Sequence, residues 1–379
     1  MFETTKRFCD SFLKFNLPGF DLAVYQNGEC KLRYSNGYSD YKNKLPITGK
    51  ERYNIYSCSK VITCTAALQL WEKGLFALED KLSDYMPEFA EMTVKTEDGI
   101  KKAENPILIQ HLFEMTAGFS YDVTTPHIAE AKEKTGGICP TREFMKYLAK
   151  EPLCFEPGDQ WQYSLCHDVL AALVEVVSGE KFADYVQKHI FDVAQTENAT
   201  FMLPDSELDT IAPQYHFVDG EIIETDKQIF RYKFGSEYAS GGAGCICGVD
   251  DYIKFLEALR TYKLLKPETV RLMMTDRLTD YQKRTYWSRN THGYGLGVRC
   301  PMGDPHYVDF GWGGAACAFL AIDIENGITL YFGAHQIFSQ AADLRSKIYR
   351  MVRAELVDPA DLPALCQEIK ELHNVDLMD

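Results

Sequence analysis

A chain of 379 residues, 46% hydrophobic and 25% charged, has a globular composition and length enough for two packed domains, which excludes a disordered or fibrous polymer. Its formal net charge is −15 and its Lys and Arg gather into no basic stripe. Nucleic acid and anionic membrane are bound through clustered cations that displace counterions, so neither is an expected partner.

In chain order, residues 1–16 predict a short amphipathic helix that ends before Pro18. Asp10, Ser11 and Lys14 interrupt its apolar run, so no signal-peptide core forms, and no later stretch reaches the roughly 18 apolar residues of a membrane span. The expected location is therefore cytoplasmic. DLAVYQ, Asn27-Gly28 and ECKLRY read as a β-hairpin, because Asn-Gly tolerates positive φ at both turn positions. SCSKVITCTAALQLWEKG reads as a helix that Gly74 can cap, with Val61, Cys64, Leu68 and Trp71 on one face.

Residues 75–235 predict mostly helical segments joined by polar loops, among them DVLAALVEVVSG ending on Gly179, then FADYVQKHIF. A small hairpin is expected at QYHFV-Asp219-Gly220-EII, and helices at 249–260 and 266–275. ACAFLAID and ITLYFGAHQ read as strands linked through Ile324-Glu325-Asn326-Gly327, with a helix from AADLRSKIYRMVRAEL. Strands near both ends with helices between them predict an α/β (α+β) fold: one antiparallel sheet flanked by helices and built from both termini. Residues 1–60 and 288–379 would form that sheet domain and residues 61–287 an inserted, mainly helical one, with the active site between them.

The twelve cysteines are spread through apolar stretches, as buried thiols in a reducing compartment would be. Cys245 and Cys247 form a C-x-C without a second pair, so no metal site is expected.

Three local features carry chemistry. Ser57 and Lys60 lie three apart at the start of a helix, so hydroxyl and amine share a face, as an activated serine requires. The helix start adds unpaired N–H groups for a developing oxyanion. Ser59 competes as the nucleophile, but the residue three positions on is Ile62. Tyr163, in Tyr163-Ser164-Leu165 after the Pro157-Gly158 turn, could transfer protons if a nearby cation favours its phenolate. Phe310-Gly311-Trp312-Gly313-Gly314-Ala315 opens a strand with glycines that allow close backbone approach. There is no G-x-S-x-G elbow, and the nine histidines include no H-E-x-x-H, so an α/β-hydrolase and a zinc hydrolase are set aside.

In this order, the three features resemble the serine β-lactamase and penicillin-binding-protein superfamily, in particular its class C and family VIII carboxylesterase branch. The resemblance extends through LFALEDKLSDYMPEF, LIQHLFEMTAGF, FEPGDQWQYS, ASGGAGCICGVDDYIKFLEAL and FLAIDIENGITLYF. It implies the two-domain fold of that family, Ser57 as acylated nucleophile, Lys60 as base or proton shuttle, and Tyr163 as proton-exchange partner. It also implies an oxyanion hole from the backbone N–H groups of Ser57 and Ala315, and no cofactor.

The chain departs from the family pattern at several places. Leu165 stands where class C enzymes carry the amide of Tyr-x-Asn. Uncharged Trp312, with Gly313 and Gly314, replaces Lys-Thr-Gly, whose cation attracts the β-lactam carboxylate. Losing a charge-assisted contact costs about 1.5–3 kcal/mol, which weakens β-lactam recognition. The family's His-Thr-Ser-Gly is altered to Glu114-Met115-Thr116-Ala117-Gly118. Phe119, Tyr121, Tyr232, Tyr238, Tyr286, Trp287 and Trp312 crowd the expected pocket; of these Phe119, Tyr121, Trp287 and Trp312 are taken as substrate-binding, beside Leu165, Gly313 and Gly314. An uncharged small-molecule acyl substrate is the expected partner. The expected activity is serine ester hydrolysis, with β-lactamase, D-aminopeptidase or D,D-peptidase and acyltransferase as alternatives; a non-catalytic binding protein is disfavoured by the presence of Ser57, Lys60 and Tyr163. Oligomeric state is not legible.

Overall fold

The computed structural model describes residues 2–225 and 234–377; Tyr232 lies outside them. A five-stranded sheet is built from segments near both ends of the chain: β1 (Gly19–Gln26), β2 (Glu29–Asp40), β3 (Leu45–Pro46), β4 (Phe319–Asp323) and β5 (Ile328–Ala334). Its order is β4-β5-β1-β2-β3 and every pairing is antiparallel, with Leu22 opposite Phe332 and Tyr34. The β1–β2 turn holds Asn27 at φ 53 and Gly28 at φ 83, the double positive φ that an Asn-Gly hairpin supplies.

Helices α1 (Glu3–Ser11), α2 (Ser59–Glu72), α3 (Cys166–Ser178), α4 (Val249–Arg260), α5 (Lys347–Leu356) and α6 (Leu362–His373) frame the sheet and the site. The N-terminal helix is shorter than the 1–16 expected, because Phe12–Phe15 tightens into a 3-10 turn that ends on left-handed Asn16. The carboxylate of Glu355 on α5 accepts from the backbone N–H groups of Thr4 and Thr5, fastening the two ends of the chain together. One face of the sheet packs on α1, α5 and α6 through Phe8, Phe20, Phe332, Met351 and Ile369. On the other face Ala23 and Tyr331 join a larger core with α2, α3 and α4.

Residues 75–225 depart from the mostly helical expectation by one hairpin, Thr93–Thr96 with Gly99–Lys102, whose second strand is exposed and therefore lacks the alternation that would mark it. The hairpin expected around Asp219-Gly220 is present, from Gln214 to Thr225. The helix expected from Ala341 begins only at Lys347, after a 3-10 turn over Gln340–Asp343, and α6 follows it unforeseen. All twelve cysteines are free, and all but Cys30 and Cys154 are buried.

Candidate active site

A short antiparallel bridge, Arg52–Asn54 against Ile246–Gly248, brings the start of α2 beside the glycine-rich stretch 240–244. Ile55 N–H donates to the Cys245 carbonyl at 3.2 Å, and Cys245 N–H donates to Ser59 Oγ at 3.0 Å. Ser59 is fully buried and engaged in holding that stretch. The choice between the two serines is thereby physical: Ser59 is a strut, whereas half-buried Ser57 lines an open cleft.

Ser57 lies in a 3-10 turn, Tyr56–Cys58, that leads into α2. Tyr56, just before it, sits at φ 45, a left-handed conformation that costs a bulky residue about 1–3 kcal/mol and persists only where packing over-determines it. Burial of the Tyr56 ring against Ala243, Ala316 and Ile337 supplies that packing.

Lys60, one turn into α2, is completely buried. Its Nζ donates to Tyr121 OH at 2.6 Å, to the Gly242 carbonyl at 2.7 Å and to Ser57 Oγ at 3.4 Å. The amine thus has an oxygen in each of three directions, from a phenol, a carbonyl and the Ser57 hydroxyl. Tyr163 meets Lys60 differently, with its ring face 4.5 Å from Nζ, while its phenol oxygen accepts from Trp312 Nε1 at 3.1 Å. The phenol hydrogen-bonded to the lysine is thus that of Tyr121, a residue taken from the sequence only as pocket lining.

A cleft of about 260 Å³ opens over Ser57, lined by Tyr163, Trp287, Trp312, Gly313, Gly314 and Ala315 among others. Trp287 is 58% exposed at its rim and packs edge-on against Tyr163, with ring centroids 5.1 Å apart. Phe119 and Leu165 do not reach this cleft: they are 3% and 1% exposed and belong to the core, Phe119 against Phe89. Tyr238 and Tyr286 are likewise core residues.

The altered Glu114–Gly118 segment acquires a structural account. Buried Glu114 pairs with Arg277 at 2.6 Å; burial pushes its carboxyl up and the guanidinium pulls it down. Backbone bonds from Gly158 N–H to Thr116 O and from Gln162 N–H to Met115 O then hold the segment that presents Tyr163.

Two cleft residues had no sequence signal. Arg345 is half-buried, its Nη1 donating to the Gly314 carbonyl at 2.5 Å, and it makes no ion pair among the described residues. Arg299 is 7% exposed, and its Nη2 donates to Asp309 at 2.5 Å and to the Leu320 carbonyl at 3.0 Å. Its Nη1 is buried without a partner among the described residues. Both lie far from Ser57 in sequence, in segments whose local pattern speaks only of helix or strand. The described residues contain no group of three His, Cys, Asp or Glu able to hold a metal ion, and no helix long and apolar enough to cross a membrane.

A family model described as Beta-lactamase matches residues 8–348. Esterase EstB of Burkholderia gladioli is 28% identical over 277 residues, 67% of this chain and 68% of its own. Monacolin J acid methylbutanoyltransferase of Aspergillus terreus is 30% identical over 282 residues, 68% of this chain and 66% of its own. The solved structure of EstCE1, described as a hydrolase with promiscuous acyltransferase activity, shares the fold with a TM-score of 0.75 at 24% identity, over 92% of this chain and 98% of that one.

Proposed function

Because the chain belongs to the β-lactamase family, we propose that it is a serine acyl-enzyme hydrolase that cleaves carboxylic esters through Ser57. The observation that carries this reading is the buried Lys60 amine, held between Ser57 Oγ, Tyr121 OH and the Gly242 carbonyl at the base of an open cleft. Ser57 Oγ attacks the ester carbonyl and its proton passes to the Lys60–tyrosine cluster. The oxyanion forms beside the backbone N–H groups of Ser57 and Ala315, and the cluster returns the proton to the leaving alcohol. Water then releases the acyl group. An alcohol or amine that reaches the acyl-enzyme first would turn hydrolysis into acyl transfer, a course favoured by similarity to both an esterase and an acyltransferase.

The cleft also argues about the substrate. Arg345, with no counter-ion among the described residues, lines the same cleft as Ser57, which favours a substrate carrying a carboxylate over the uncharged one expected from Trp312 alone. Leu165 in the core leaves no amide for a β-lactam side chain, which favours esters over lactams.

The test is a paired steady-state assay with p-nitrophenyl butyrate, mono-p-nitrophenyl glutarate and a chromogenic cephalosporin, each with Ser57→Ala as control. Ester turnover far above lactam turnover, lost in the variant, is the expected result. Ester turnover that survives Ser57→Ala would sink the assignment.

A further inference from the structure

Beneath Lys60 lies a buried acid that the acylation scheme does not use. Asp168, in the first turn of α3, is 1% exposed. Its Oδ1 accepts from Tyr238 OH at 2.8 Å and from Ser240 Oγ at 2.6 Å. Its Oδ2 is buried with no side-chain partner among the described residues and lies against the Gly242 backbone; burial pushes the carboxyl up, while Ser240, the Lys60 charge, Tyr238 and the Gly242 N–H pull it down. That oxygen is aimed at the backbone of Gly242: a Cβ there would lie 2.5 Å from Asp168 Oδ2, 3.1 Å from Tyr121 OH and 3.3 Å from Lys60 Nζ. The carboxylate oxygen and the amine nitrogen therefore lie no farther apart than the sum of their two distances to that point, both against the Gly242 backbone. A desolvated carboxylate is costly unless a nearby charge compensates it, and a buried amine that must take up a proton has the same need.

We propose that Asp168 is a positioning residue of the reaction, the counter-charge that sets the protonation of Lys60 across the Gly242 backbone. This rests on the reading of Ser57 and Lys60 as reactive groups. Gly242 is what makes the arrangement possible, since any side chain there would part the two charges.

Other groups surround the pair. Tyr121, Tyr163 and Ser57 face Lys60 from the cleft side. Tyr238 and Ser240 face Asp168 from the glycine-rich segment, and His167 and Cys166 flank it on α3. Burial holds the His167 imidazole down at about 3, Lys60's charge adding to that, so His167 stays neutral across the working range and supplies no competing charge. Cys64 and Cys166 are buried thiols pushed up by desolvation and are neutral as well.

The experiment is the pH profile of kcat/KM for p-nitrophenyl butyrate in the full chain, comparing wild type with Asp168→Asn. Asparagine keeps one oxygen as acceptor for Tyr238 and Ser240, and it replaces the other with an NH2 as it removes the charge. An opposite charge at this range moves a titration by about one to three pH units. At least one limb of the profile should therefore move by one unit or more toward lower pH in the variant, and Asp168→Glu should restore it. Asp168→Ser is a second neutral variant with the same expectation, for use if the asparagine variant does not melt cooperatively. Unmoved limbs in a folded neutral variant would overturn the proposal, because a merely structural role alters stability and leaves the profile in place. Ser57→Ala run beside it separates the two readings: hydrolysis surviving there overturns the reaction itself, whereas a dead Ser57→Ala with an unmoved Asp168→Asn profile overturns only Asp168.

Discussion

The two sides of the cleft handle charge in opposite ways. On the Ser57 side, the amine of Lys60 is sealed from solvent and engaged with a phenol, a carbonyl and a hydroxyl, all supplied by the protein. On the far side, Arg345 remains half-buried, rests on one carbonyl and has no acid beside it among the described residues. The first arrangement completes itself internally, so its geometry is fixed before any ligand arrives, as preorganised proton transfer requires. The second leaves a guanidinium open to the cleft, and on the proposed reading a bound carboxylate would complete it. On the proposed reading, a reaction centre and a recognition site share one cleft because each leaves a different quantity open: a proton path on one side, a charge on the other.

The severest way to break the comparison is to remove the proposed nucleophile. Ser57→Ala should lower ester kcat by about a thousandfold or more, since loss of a nucleophile disables the unit it belongs to. Burst kinetics and a covalent serine probe would check this; labelling of the variant at the wild-type rate contradicts it. Next in size is Gly242→Ala. Its methyl would enter the space between Asp168 Oδ2 at 2.5 Å and Lys60 Nζ at 3.3 Å. We expect kcat to fall about a hundredfold, within the usual range for disturbed acid–base catalysis, and KM to stay within a factor of three. A KM effect without a kcat effect would place Gly242 on the binding side.

These two sides also differ in how far the sequence discloses them. Ser57 and Lys60 are three residues apart on one helix, a spacing that geometry alone turns into contact. Tyr163, Trp312 and Ala315 were reached through the family resemblance and do line the cleft or meet Lys60. The sheet was legible because both hairpins carry their own turn chemistry at Asn27-Gly28 and Gly327. Leu165 was misplaced as a pocket residue because neighbouring residues at a helix start point in different directions, and its side chain turns into the core. Arg345 and Arg299 were invisible because their place in the cleft comes from long-range packing, which leaves no local period in the sequence. The Glu114–Arg277 pair, 163 residues apart, was hidden for the same reason.

The recognition side is sharpened by Arg345→Ala. Removing a charge-assisted partner costs about 1.5–3 kcal/mol, so KM for mono-p-nitrophenyl glutarate should rise by about ten- to a hundredfold. For p-nitrophenyl butyrate, which has no carboxylate to lose, KM should change less than threefold. Equal losses on both esters would mean that Arg345 shapes the cleft through the Gly314 carbonyl instead of reading charge.

The smallest expected effect is on stability against acid, and it too divides the molecule. Burial holds the imidazole of His111 down at about 4 and that of His167 at about 3. Unfolding would return each to its ordinary value near 6.5. Below that pH the unfolded chain binds protons that the folded one refuses. The stability these groups contribute is therefore intact above pH 6.5 and drains away as pH falls toward 4, each imidazole contributing a slope of at most about 1.4 kcal/mol per pH unit. Protonation of His111 would also forfeit the bond that its Nδ1 accepts from Leu108 N–H. Thermal melts between pH 7 and pH 4.5 should accordingly show a falling Tm, and His111→Asn, whose amide oxygen can accept that same bond, should flatten the slope without abolishing it. The arginines of the opposite wall stay charged throughout this window, so Arg345→Ala should leave the slope unchanged; a variant curve that flattens there instead would move the acid-sensitive element to the recognition side.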